Sequence, residues 1–185
     1  MKLSDGFFFL YLYNSLKTNN FFMRVSVINK SQNKLPAYET KMSAGMDVRA
    51  DFSRVDPKNP IKVYGSSDFN FKTKILTINP GTRALIPTGI FTAIPEGHEI
   101  QIRPRSGLAI KKGLSLCNTP ATIDADYRNE IGVAVINLGL EPVSIENGER
   151  IAQFILNKVE TIEWEEVEKL DETERKGGWG HTGTK

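Results

Sequence analysis

Asp124, Asp126, Tyr127 and Arg128 stand close together in the stretch 118–137, NTPATIDADYRNEIGVAVIN. A carboxylate held at a strand end can bind a water and take its proton as the water attacks an electrophile. A tyrosine three residues on can lay its ring against a ring-shaped substrate. The same residues also fit a solvated turn with a surface ion pair, worth ~0–1 kcal/mol, since charged turn residues mostly face water. The cluster alone leaves both readings open.

The flanking residues say how such a cluster would be positioned. Ile131, Val133 and Val135 alternate with Gly132, Ala134 and Ile136, a mostly apolar run of strand length. Leu114, Leu116 and Ile123 precede the cluster, with the turn-formers Asn118 and Pro120 between them. This pattern predicts a hairpin with its arms in a core and the polar cluster at or near its bend, where a rigid sheet fixes the carboxylates.

Four other stretches are unusual for a plain β-sandwich. In 43–48, SAGMDV, small residues precede Asp47 and then a strand. In 103–108, RPRSGL, two arginines, a serine and a glycine crowd together. In 148–153, GERIAQ, Gln153 lies on a predicted strand. The chain closes with GGWGHTG at 177–183. The shared chemistry is phosphate. Arg105 can donate two parallel hydrogen bonds to a phosphoryl group. Ser106 and the Gly107 amide can add donors, because glycine lets the backbone come close. The tail offers amides, a hydroxyl and an indole that could stack on a base. Each stretch has a bland reading too: a turn, a frayed terminus, a solvent-facing glutamine. Their coincidence in one small domain favours nucleotide chemistry.

Composition narrows the class. At 185 residues the chain fits one domain with a real core. A net charge of +2 gives no basic surface for nucleic acid. Cys117 is the single cysteine, which excludes an internal disulfide, fits a cytoplasmic protein and predicts a buried strand thiol. With it, His98 and His181 cannot build a conventional zinc cluster. The run FFFLYLY at 7–13 is far short of the ~20 apolar residues a membrane span needs, and no small-x-small cleavage site follows it.

From Met23 onward, short apolar runs are split by Gly, Pro, Asn and Asp. They predict strands at 24–28, 75–78, 83–86, 89–94, 98–103, 114–117, 132–137, 143–145 and 150–159. This spacing points to an all-β sandwich or barrel with very little helix, at most one turn at 107–112. The polar stretch 52–73 reads as a surface insertion between strands. The expected organisation is a dispensable extension at 1–22, a β domain at 23–174 and a glycine-rich carboxyl-terminal arm at 175–185.

In order, AGMDV (44–48), RPRSGL (103–108), NTPATIDADYRNE (118–130), GERIAQ (148–153) and GGWGHTG (177–183) resemble the five motifs of the trimeric dUTPases. The resemblance runs from about Val25 to the end, leaving out most of 52–73. It implies a jelly-roll β-fold, a homotrimer and three active sites each drawing on all three subunits. It further implies hydrolysis of dUTP to dUMP and pyrophosphate, with Asp124 as the base that activates water against the α-phosphorus. That activity keeps uracil out of DNA and supplies dUMP for thymidylate synthesis.

By position, the resemblance assigns Asn118 and the backbone around Thr122, Ile123 and Gly132 to uracil. It sets Tyr127 under the deoxyribose, where it leaves no room for a 2′-hydroxyl. Arg105, Ser106 and Gly107 hold phosphates from a neighbouring subunit, while Asp47 and Gln153 orient waters. The implied metal is Mg²⁺, gripped by the triphosphate and water rather than by direct protein ligands. The arm from Arg175 closes the site, with Trp179 over uracil, Gly180 and His181 beside the nucleotide, and Thr182 near the γ-phosphate. Departures from the family pattern are Ala121 and Asn129 where glycine is usual, Trp179 for phenylalanine, and Arg175 two residues before the double glycine instead of three. Two other readings share the scaffold: a dCTP deaminase, and a silent nucleotide-binding relative. The first needs an acid poised at cytosine C4; the second would tolerate loss of Asp124, which is present.

Overall fold

The alternation seen in the sequence becomes a set of short antiparallel strands whose inward residues meet in one core. The computed structural model describes residues 23–174 together with Gly177 and Gly178. Its strands are β1 (Ser26–Asn29), β2 (Met46–Arg49), β3 (Lys62–Tyr64), β4 (Ser67–Asn70), β5 (Ile75–Ile78), β6 (Arg83–Pro87) and β7 (Ile90–Ala93). There follow β8 (His98–Pro104), the helix α1 (Ser106–Lys112), β9 (Leu114–Leu116), β10 (Ala121–Ile123), β11 (Gly132–Asn137), β12 (Val143–Glu146) and β13 (Arg150–Lys158).

Two four-stranded sheets, ordered β10-β8-β13-β2 and β3-β6-β11-β9, are joined by the three-stranded β12-β5-β4 and the pair β1-β7. Each contributes one face to the core. Ile100, Ile102 and Phe154 come from the first sheet, Ile86, Val133 and Val135 from the second, Leu76, Ile78 and Ile145 from the third, and Ile90 from β7. On β11 the inward residues Val133, Val135 and Asn137 are buried and their neighbours are half-buried, the period-2 signature of a sheet with one face in a core. The architecture is the all-β jelly roll that the sequence predicts.

Several local expectations change. The stretch 52–73 is part of the fold, not a surface insertion. Phe52 has no exposed surface and Val55 is buried. The Phe52 ring meets Phe69 edge-on at 5.3 Å, and its backbone N–H donates to Asn147 Oδ1 at 2.6 Å. Of the polar residues that suggested a loop, Lys62 on β3 and Asp68 and Asn70 on β4 face outward, and most of the rest lie in the turns around these strands. The helix is about two turns long, running Ser106–Lys112 and ending at Gly113, whose left-handed φ of 68° suits glycine. Cys117 is exposed, because Leu114 and Leu116 take the core face of β9 and Cys117 falls with Ser115 on the opposite one. The segment 161–170 takes no regular structure.

The predicted hairpin is also modified. β9 and β11 do pair antiparallel, Leu116 opposite Val135. The chain between them, however, detours into another sheet, where β10 pairs with β8 and Ile123 faces Ile100. The bend carrying Asp124 therefore spans two sheets. Ala121 lies in β10 and is buried. Among the described residues Lys74 is the only non-glycine with positive φ, so neither Ala121 nor Asn129 occupies a backbone conformation reserved for glycine.

Candidate active site

One group of polar side chains forms where β8, β13 and β2 end together. Asp47 on β2 stands opposite Gln153 on β13. Its Oδ1 accepts from Arg105 Nε at 3.0 Å, and its Oδ2 lies 3.2 Å from Arg150 Nη1. Arg105 Nη1 also donates to the Arg150 carbonyl at 3.3 Å. Gln153 donates through Nε2 to the Pro104 carbonyl at 2.9 Å. Ser106 and Gly107 follow Arg105 directly in the first turn of α1, and a Cβ on Gly107 would meet nothing within 4 Å. The structure thus brings together Asp47, Arg105, Ser106, Gly107 and Gln153.

Arg150 was not singled out in the sequence, and a bulge explains why. In simple alternation Arg150 and Gln153, three positions apart, face opposite sides of a strand. Here Arg150 pairs with Arg49 and Ala152 with Val48, leaving Ile151 as an extra residue. Ile151 and Ala152 are consequently both buried, and Arg150 swings onto the face of Asp47 and Gln153. Bulges commonly re-aim a side chain in this way.

A second group lies on the loop after β10. The last ladder bond of β9, Cys117 N–H to Ala134 O at 2.9 Å, delivers Asn118 to the end of the sheet where β11 begins at Gly132. Thr122 and Ile123 are on β10. Asp124 is exposed, its carbonyl accepts from Tyr127 N–H at 3.2 Å, and its carboxylate has no hydrogen bond or ion pair among the described residues. The half-buried Tyr127 donates its hydroxyl to the Glu130 carbonyl at 3.1 Å. Arg128 turns back on the loop, donating to the Ala125 carbonyl at 2.7 Å.

The two groups sit towards opposite ends of β8. Asp124 follows Ile123, which faces Ile100, whereas Arg105 follows the other end of the strand. At ~3.3 Å per residue the run from Ile100 to Arg105 covers roughly 17 Å. No hydrogen bond or ion pair joins the groups among the described residues. Arg175, Trp179, Gly180, His181 and Thr182 lie outside the described residues.

The loop of Asp124 is anchored by a charge network that sequence reasoning missed. Asp51, whose side chain is fully buried, takes Arg54 Nε at 3.2 Å, and Arg54 Nη2 reaches Glu130 Oε1 at 2.6 Å. Burial pulls the Arg54 guanidinium down, but hydrogen bonds and charges from Glu130 and Asp51 outweigh it and hold it above its ordinary value. It stays charged throughout the pH range in which proteins fold.

Comparison with known proteins decides the family. The dUTPase family profile matches residues 68–183. The chain belongs to the dUTPase family. The deoxyuridine 5′-triphosphate nucleotidohydrolase of Finegoldia magna is 52% identical over 162 residues, covering 87% of this chain and 99% of that protein. Among solved structures, a glycine-to-serine mutant of the dUTPase of Staphylococcus bacteriophage 80alpha with dUpNHpp aligns at a TM-score of 0.66 and 22% identity. It covers 86% of this chain and 98% of its own. An aspartate-to-asparagine mutant of the dUTPase of phage phi11 of S. aureus, which reveals the coordination of a structural Mg(II) ion, aligns at 0.62 and 19% identity, covering 80% and 99%. The dUTPase resemblance read from five motifs is therefore right, and the two phage structures share the fold of this chain.

The small residue Gly45 has a local reason in this dUTPase. A Cβ there would stand 2.5 Å from Gln153 Oε1, so glycine leaves the space that the Gln153 amide fills. Gly45→Ala should push Gln153 off the Pro104 carbonyl. We expect kcat with dUTP to fall about tenfold or more, with the thermal midpoint within a few degrees of the parent; steady-state kinetics beside a melting curve would check both.

Proposed function

We propose that the protein is a dUTP diphosphatase, hydrolysing dUTP to dUMP and pyrophosphate. One observation carries the reading. In a chain of this family, Asp124 offers a carboxylate with no ion pair among the described residues, while Arg105 and Arg150 gather at the far end of the same sheet. Asp124 would hold a water and take its proton as the oxygen attacks the α-phosphorus. The bond from that phosphorus to the bridging oxygen breaks, and pyrophosphate leaves with the electron pair. Arg105, the Ser106 hydroxyl and the Gly107 amide would meet the charge on the phosphates. Asp47 and Gln153 would orient water.

Asn118 and the backbone of Thr122, Ile123 and Gly132 would read uracil. Uracil presents an O4 acceptor and an N3–H donor, so fixed amides reject cytosine by leaving polar groups unpaired. Tyr127 would pack under the deoxyribose and exclude a 2′-hydroxyl. Arg175, Trp179, Gly180, His181 and Thr182 would close over the nucleotide as an arm at 175–185, and 1–22 would be dispensable to the β domain at 23–174.

The donor set fits Mg²⁺ held mainly by substrate. Among the described residues no group of three or more His, Cys, Asp or Glu side chains could hold a metal ion, and Asp47 already answers two arginines. Magnesium dehydrates reluctantly and commonly binds through phosphates and water; Asp47 and Gln153 would hold it through water. When bound, Mg²⁺ neutralises phosphate charge and fixes the triphosphate for in-line attack.

We further propose a homotrimer in the cytoplasm. The separation of Asp124 from Arg105 along β8 supports a site completed by a neighbouring subunit. So does the segment 161–170, where Ile162, Trp164, Val167 and Leu170 are exposed in the single chain. No helix among the described residues is long and apolar enough to cross a membrane.

Phosphorus NMR with Mg²⁺ tests the activity, with dUTP, dCTP, dTTP and UTP run side by side. The expected result is a monophosphate and pyrophosphate from dUTP alone. Consumption of dCTP with ammonia release, dUTP untouched, would replace hydrolysis by deamination. No turnover of any would leave a binding protein.

A further inference from the structure

Three consecutive contacts run from the buried Asp51 to Tyr127. Asp51 is buried with a fully covered side chain, and its Oδ1 accepts from Ser53 N–H at 3.2 Å and Ser53 Oγ at 2.6 Å. Its Oδ2 takes Arg54 Nε at 3.2 Å. Arg54 Nη2 then donates to Glu130 Oε1 at 2.6 Å, and the same oxygen accepts Gly89 N–H at 2.8 Å. The Glu130 carbonyl, finally, accepts the Tyr127 hydroxyl at 3.1 Å. The next residue is tied down as well. Ile131 O accepts Thr88 Oγ1 at 2.6 Å, and Ile131 N–H donates to Ile90 O at 2.8 Å.

We infer that Arg54, acting through Glu130, is a positioning residue for the sugar selectivity of this site. The inference rests on the reading that Tyr127 packs under the deoxyribose. Excluding a 2′-hydroxyl is a steric task, and a ring excludes an oxygen only if it cannot retreat by about an ångström. Tyr127 packs against the core yet is half-buried, so its hydroxyl contact adds to what packing holds. Its polar end is stopped by the Glu130 carbonyl, and the Glu130 side chain holds that peptide in place. Arginine suits the task because one rigid fork spans both carboxylates. The segment carrying Arg54 enters the core through Phe52 and Val55, so the anchor itself is rigid.

The test is the ratio of kcat/KM for dUTP to that for UTP. A purely structural defect lowers the amount of active enzyme and scales both rates equally, leaving the ratio unmoved. Glu130→Gln keeps the backbone carbonyl and leaves the Asp51–Arg54 pair intact, so it is the variant that folds in any case. Arg54→Gln removes the charge, and Arg54→Lys returns it without the fork. We expect Glu130→Gln and Arg54→Gln to lower the ratio about tenfold, mainly by admitting UTP, and Arg54→Lys to recover part of it. An unchanged ratio in Glu130→Gln, with a parent that prefers dUTP, overturns the role of Arg54 and leaves the active-site reading standing. A parent that turns over UTP as readily as dUTP overturns the reading of Tyr127 first, and this inference with it.

Discussion

Replacing Asp124 by asparagine should lower kcat for dUTP by about a thousandfold while KM moves only a few-fold. The amide has the shape of the carboxylate and can still hydrogen-bond a water, so the substrate complex forms. It cannot take the proton that the water must lose as its oxygen bonds to phosphorus. The loss therefore falls on the transition state, not on binding. The fold should not notice. The Asp124 carboxylate is exposed and pairs with nothing among the described residues, and a substitution at such a position usually changes stability by less than about 0.5 kcal/mol. Steady-state kinetics with a denaturation curve on the same preparation separates the two. Near-normal turnover would remove Asp124 as the base and turn attention to the other exposed carboxylate of the loop, Asp126.

Phe52→Ala should cost about 3–5 kcal/mol of folding stability. Against the ~5–15 kcal/mol total of a natural domain, that is about a fifth of the margin or more. Phe52 has no exposed surface, so truncation removes a full aromatic side chain from a closed core and opens a cavity. It also takes away the edge-on contact with Phe69. The strands on either side cannot easily collapse into the gap, because the Phe52 backbone is tied to Asn147. Urea denaturation would measure the effect as a lower midpoint at unchanged slope. A loss under about 1 kcal/mol would mean that 52–73 is peripheral after all. A further consequence reaches the active site: Arg54 lies two residues beyond Phe52, so a loosened Phe52 should also slacken the tie to Glu130.

Phe52 shows where the sequence was hard to read. The stretch 52–73 is polar on average, and its strands β3 and β4 are only three and four residues long. Over such lengths the period-2 signal barely rises above that of a loop. The buried residues Phe52 and Val55 precede those strands and follow no period. Cys117 erred in the other direction. It adjoins the core-facing Leu114 and Leu116, yet the period of two places it with Ser115 on the outer face, and the thiol is exposed.

The sequence by itself determined the chemistry and the class of fold. Alternation in runs such as 131–137 is a local property of a strand with one face in a core, so the β character was legible residue by residue. Asp124, Tyr127 and the run Arg105–Ser106–Gly107 could be named because their types and order carry the likeness to dUTPases. Tertiary structure alone decided which charges meet. Arg105 finds Asp47 across 58 positions and Arg54 finds Glu130 across 76. Whether they do depends on sheet order and register, which no local pattern encodes. The bulge at Ile151 makes the point most sharply: one extra residue turns Arg150 from the core face to the face of Asp47, because the side-chain period of a strand is two and a shift of one reverses every orientation after it.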